Sequence, residues 1–169
     1  MIPAAQIIGI GSTKYGKHTT TSLVELASMA CEAAILDSGI DRDRIGTIYV
    51  GNFLSGSLNG QEVIAGLIAK SLGISGIPAT KVEGACASGG IAFKHGCMSV
   101  TLGDSEVALV VGVEKMTGYS TADVTKSLNF AMDQGVDGGT GITFPGLYGL
   151  AWRSHAEHYG TTRSQVTSV

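Results

Sequence analysis

The run from Glu106 to Val113, EVALVVGV, places apolar side chains on both faces of an extended segment. Such a strand is stable only when both faces are covered, as in the middle of a parallel sheet flanked by helices. The chain before it has the same logic. Short β-branched apolar runs alternate with longer runs at helical spacing, the pattern of βα units, so the fold class is α/β, with a mixed central sheet and helices on both faces.

Element by element, residues 5–10 read as a first strand. Ser22 and Glu25 form a capping box that opens a helix through Leu23, Leu26, Ala30, Ala33, Ala34 and Leu36, and Ser38-Gly39 stops it. Residues 45–50 read as a strand, 61–72 as a helix, and 80–83 as a short strand after Pro78. Residues 88–102 read as a mostly apolar, buried helix ending at Gly103, and 106–113 as a strand expected at the centre of the sheet. Periodicity is lost over 117–146, where DQGVDGGTGITFPG is a glycine-rich loop. A helix resumes over residues 144–159, with Pro145 tolerated in its first turn. Thr162 and Gln165 repeat the capping box so near Val169 that the chain is expected to be cut short. The division expected is 1–116, an α/β half lacking its last strand, and 117–169, the start of a loop domain.

Composition narrows the function classes. With 44% hydrophobic and 15% charged residues, much of the chain must be buried. A formal net charge of −3 leaves no basic excess to neutralise phosphates, which argues against nucleic acid. Three cysteines, Cys31, Cys86 and Cys97, show neither a CxxC pair nor zinc-type spacing with histidine, which fits a reducing compartment. The amino-terminal residues lack the features of a secretion signal, and each apolar run is interrupted before it reaches membrane-spanning length. These features make a cytoplasmic protein with no membrane span the expectation.

The segment KVEGACASGGIAFKHGCMSVTLGD carries the chemistry. A strand enters Gly84-Ala85-Cys86-Ala87-Ser88-Gly89-Gly90 and a helix leaves it, so Cys86 falls at a strand-to-helix turn. The first N–H groups of a helix lack intrahelical partners, and its amino end favours negative charge. That setting suits a nucleophilic thiolate, and the Cys86 N–H is a candidate donor to an oxyanion on a thioester carbonyl. The bland alternative for Cys86 is a small buried hydrophobe. Cys31 and Cys97 lie among helical apolar residues and read as core.

Val82-Glu83-Gly84-Ala85-Cys86-Ala87-Ser88-Gly89 resembles the nucleophile motif of the thiolase superfamily, and Gly112-Val113-Glu114-Lys115-Met116-Thr117 resembles its Gly-x-Glu-x-Met-Ser stretch. Thr143-Phe144-Pro145-Gly146-Leu147-Tyr148 is similar to sterol-carrier-protein-type thiolases and archaeal acetyl-CoA acetyltransferases. Glu83 departs from the Asn that many thiolases carry three residues before the cysteine. The resemblance implies a thiolase-like fold and an acyl-enzyme on Cys86, followed by Claisen condensation or its thiolytic reverse. It implies coenzyme A thioesters as substrates, no separate cofactor and no metal. It makes Met116, Phe144 and Tyr148 acyl-CoA contacts. It also implies a homodimer or homotetramer formed through the strand near residues 79–83, with an HMG-CoA synthase and a small acyl-CoA-binding scaffold protein as further partners. The histidine and second cysteine that complete the family's site have no counterparts at matching positions here, so this chain alone is expected to be inactive. A non-catalytic half acting as an assembly module is the alternative.

Gly11 to His18 nearly fits a phosphate-binding loop, but His18 stands where a hydroxyl is needed. Gly84-x-Cys86-x-Ser88 also resembles a hydrolase nucleophile elbow, with its last glycine displaced. Asp123, Asp133 and Asp137 without His or Cys read as solvated rather than metal-binding. His95 is more than two helical turns past Cys86, and His155 and His158 flank Glu157 on a polar face. None of the three is in reach of Cys86 as a base.

Overall fold

The computed structural model describes residues 5–168, which form two compact units, one up to Ser120 and the other from Thr121. The first unit contains α1 (Leu23–Ser38), β1 (Ile45–Gly51), α2 (Ser55–Asn59), α3 (Ile64–Ser71), β2 (Ala79–Val82), α4 (Ser88–Thr101) and β3 (Val107–Gly112). The second contains α5 (Thr121–Leu128), α6 (Phe144–Tyr159) and α7 (Arg163–Thr167).

The local signals act as the sequence led us to expect at α1. Ser22 N–H donates to Glu25 Oε2 at 2.6 Å and Glu25 N–H to Ser22 Oγ at 3.2 Å, satisfying two amides at the helix start. Gly39 ends α1 at φ 66°, a left-handed conformation costly for any side chain with a Cβ. The second capping box closes equally, with Thr162 N–H to Gln165 Oε1 at 2.8 Å and Gln165 N–H to Thr162 Oγ1 at 3.3 Å.

The three strands are parallel, in the order β2-β1-β3. Alternation along them divides the unit into layers. Ile48 and Val50 of β1 and Leu109 and Val111 of β3 are buried in one cluster with Leu23, Ala27, Cys31 and Ile35 of α1 and Ile64, Ala65, Ile68 and Ala69 of α3. On the other face Tyr49, Ala108 and Val110 meet α4, where Gly96 comes so close that a Cβ there would lie 2.5 Å from Val110 Cγ2. Ile45, Ile48, Ile64 and Ile68 are at most 1% exposed. Burying each stabilises the unit by about 1.5–3 kcal/mol against leaving it in water.

Four expectations need correction. Residues 5–10 do not form a strand. They run along α1, where Ile10 N–H donates to Asp37 Oδ2 at 2.9 Å, and a Cβ on Gly9 or Gly11 would lie within 2.4 Å of the helix backbone. Bare glycine backbone and a carboxylate acceptor offer this segment a partner other than a sheet edge. Second, β3 is therefore an edge and β1 is the centre. Third, α4 buries one face only, through Ser88, Ala92, Gly96 and Ser99, while Phe93 and Met98 are exposed. Fourth, the helix expected over 61–72 is shorter, α3 spanning Ile64–Ser71, and α2, capped by Gly60, lies before it where no helix was expected. Helix α5 was absent from the sequence reading. The second unit is lightly packed, since none of the residues of α6 is buried.

Candidate active site

The site is built at the carboxyl ends of the parallel strands, where open α/β sheets place their ligands. Two of the three strands end in glycine, Gly51 of β1 and Gly112 of β3. A Cβ on Gly51 would lie 2.6 Å from Ser88 O and 2.7 Å from Gly89 N and Cα, so α4 begins directly on the end of β1. A Cβ on Gly112 would lie 4.0 Å from Gly89 Cα, an ordinary contact. Absent side chains thus set where the nucleophile's helix starts.

Between β2 and α4 the chain turns through a single 3₁₀ turn, Ala85–Ala87. Ala87 N–H donates to Gly84 O at 2.9 Å and Ser88 N–H to Ala85 O. The turn engages the two amides after Cys86 and makes no use of the Cys86 N–H. Cys86 is exposed, whereas Cys31 is buried and Cys97 half-buried. Burial, with the Glu32 carboxylate adding to it, pushes the Cys31 thiol up to about 12, which makes it a core residue and not a nucleophile.

Ala85 is the one described non-glycine residue with positive φ, at 49°. Such a conformation costs about 1–3 kcal/mol and persists only where its surroundings over-determine it. Here Glu83 accepts the Ala85 N–H. The buried Ser88 hydroxyl accepts Gly84 N–H at 3.0 Å and donates to Ala85 O at 2.7 Å.

A second set of bonds ties the strand ends together. Asn52, 1% exposed, donates from Nδ2 to Val113 O at 2.8 Å and accepts Ser55 N–H at 3.0 Å. Glu114 accepts the amides of Phe53 and Leu54. Burial pushes the Glu114 carboxyl up from its ordinary range, opposed by those two amides and by Lys81. Asn52, and the part the Ser88 hydroxyl plays in the turn, were not foreseen from the sequence. The available signal was a polar side chain directly after an apolar strand or at the head of a helix.

Met116 follows β3 and is 42% exposed. Phe144, half-buried, and Tyr148, exposed, belong to α6 of the second unit. His95 packs edge-on against Tyr49 of β1, with ring centroids 5.7 Å apart. His155 and His158 both contact Tyr159, and Arg153 pairs with Glu157 on the same exposed surface. Asp133 accepts the amides of Gly135 and Val136, a turn role. Residues 11–18 precede no immediate helix, since α1 begins only at Leu23, so they cannot act as a phosphate-binding loop. Two surface concavities of about 540 and 490 Å³ lie along α1 and do not include Cys86. No described helix is long and apolar enough to cross a membrane.

Comparison with known proteins gives this geometry its family. The acetyl-CoA acetyltransferase of Methanothermobacter thermautotrophicus is 40% identical over 163 residues, 96% of this chain and 42% of that protein. That of Methanocaldococcus jannaschii is 41% identical over 161 residues, 95% and 41% respectively. The chain thus spans about two fifths of the length of these curated relatives. Among solved structures, the Ltp2-ChsH2(DUF35) aldolase superposes with a TM-score of 0.68 at 24% identity, over 96% of this chain and 40% of that one, a likeness of fold. The family "Thiolase, N-terminal domain" matches residues 1–169. With an exposed cysteine on a strained turn ahead of α4, and with this match over the whole chain, the chain belongs to the thiolase family as its N-terminal domain.

Proposed function

We propose that the protein is an acyl-CoA C-acyltransferase of the acetyl-CoA acetyltransferase kind, with Cys86 as acyl acceptor. The observation that carries this is the exposed Cys86 at the amino end of α4, in a chain 40% identical to an archaeal acetyl-CoA acetyltransferase. The Cys86 thiolate attacks the thioester carbonyl carbon, and the coenzyme A thiolate leaves. The Cys86 N–H, unused by the turn, is the donor for the oxyanion that forms. A carbanion at the α-carbon of a second acyl-CoA then attacks the acyl-enzyme carbonyl. A 3-oxoacyl-CoA forms and the Cys86 thiolate is released; thiolysis is the reverse. The base that raises the carbanion is assigned, by family resemblance, to residues outside this chain, so residues 1–169 alone do not turn over acetyl-CoA.

In this reading Met116, Phe144 and Tyr148 contact the acyl-CoA, and the open edge of β2 pairs with a second copy to give a homodimer. The setting is cytoplasmic, and an HMG-CoA synthase and an acyl-CoA-binding scaffold protein are candidate partners. An alternative, a non-catalytic assembly module, draws on the edges of β2 and β3 and the face of α4 that are left unpaired among the described residues. Intact-mass measurement of the protein at its natural full length, with and without acetyl-CoA, separates the two. One acetyl group mapped to Cys86 supports the enzyme. No adduct in the folded protein favours the assembly module.

A further inference from the structure

The turn that carries Cys86 is held by side chains on both sides of one strained residue. Ala85 has φ 49°, a conformation that Ala pays for and Gly does not. Its N–H is accepted by Glu83, and its carbonyl oxygen accepts from the Ser88 hydroxyl, which itself accepts the Gly84 N–H. Ser88 is 4% exposed and fixed on the sheet by the approach of Gly51, whereas Glu83 is exposed and reaches the turn only through its carboxylate. An exposed acidic side chain has no packing reason to fold back on the amide two residues ahead. The bond supplies one: its loss would leave Ala85 free to relax toward negative φ and shift Cys86 from the end of α4.

We propose that Glu83 is a positioning residue for Cys86. Its carboxylate oxygen, acting as an acceptor and not as a charge, locks Ala85 in the left-handed conformation that presents the sulfur, with Ser88 as the opposite jaw. The inference rests on the reading of Cys86 as the acyl acceptor.

The test uses the protein at its natural full length and two readouts. One is the rate of Cys86 capture by iodoacetamide, mapped by mass spectrometry with Cys97 as the reference in the same molecule. The other is single-turnover acetylation of Cys86 over a range of acetyl-CoA concentrations. Glu83→Ala is expected to slow both at Cys86 by about tenfold, equivalent to about 1.4 kcal/mol. Cys97 capture and the half-saturating acetyl-CoA concentration should not change. Glu83→Gln, which keeps an acceptor oxygen and loses the charge, should stay within about twofold of the parent. In an Ala85→Gly background, where left-handed φ carries no penalty, Glu83→Ala should cost less than about threefold.

An unchanged Cys86 rate in Glu83→Ala, or a tenfold loss in Glu83→Gln, overturns the proposal. So does a full tenfold effect in the Ala85→Gly background. If Glu83→Ala does not fold, Glu83→Gln alone decides by the same limits. If the parent protein takes no acetyl group, the acyltransferase reading falls while the alkylation rates still decide whether Glu83 positions Cys86.

Discussion

Gly51→Ala is the substitution that most directly tests how the sheet places the nucleophile. The new Cβ would stand 2.6 Å from Ser88 O and 2.7 Å from Gly89 N and Cα, all of them backbone, so no flexible side chain can swing aside. Restoring an ordinary contact requires α4 to move off β1 by roughly 0.7–0.8 Å at its first turn. Overpacking of this kind costs about 1–3 kcal/mol, and a displacement near 1 Å at a reacting group costs on the order of 100-fold in rate. Gly90, in the same helix, has no atom within 4 Å of its would-be Cβ. There Ala should be neutral or stabilising by up to about 1 kcal/mol, because glycine is a poor helix former. The assay is urea unfolding of the 169-residue chain followed by the rate of Cys86 alkylation. Gly51→Ala should lose both midpoint and rate, and Gly90→Ala neither. Equal midpoints and equal Cys86 rates for the two variants would refute the claim that α4 rests on the end of β1.

Two further predictions concern titration. Burial raises the Glu114 carboxyl, so its contribution to stability is fully present below its unfolded value near 4.5 and is lost as pH rises through the folded value. Glu114→Gln keeps an acceptor for the Phe53 and Leu54 amides, so the parent should lose stability relative to this variant as pH rises above 4.5 in denaturant titrations. Parallel curves would show that burial does not govern Glu114. The Cys31 thiol, raised from 9.0 to about 12, likewise holds its proton longer in the folded state, so its contribution is lost as pH climbs above 9. The parent should lose up to about 1.4 kcal/mol per pH unit relative to Cys31→Ala between those values. A pH-independent difference would place Cys31 in a wetter site than the core of α1, β1 and α3.

What the sequence determined by itself is whatever is local in cause. Capping boxes at Ser22 and Thr162, the stop at Gly39, the apolar periodicity of α1 and α6 and the β-branched strands all follow from interactions within a few residues, and each was legible in the sequence. So was the strand-to-helix turn at Cys86, because a run of small residues between a strand and a helix leaves few other geometries. Partner choice was not legible. Whether residues 5–10 pair with a sheet or lie on α1 depends on which backbone reaches them first, and Asp37 with two glycines decides it. The same non-local competition put β1, and not β3, at the centre of the sheet. The hold on Ala85 was hidden for a related reason. Glu83 and Ser88 look like ordinary polar residues in the sequence, and only the folded turn shows that an unfavourable φ needs both of them.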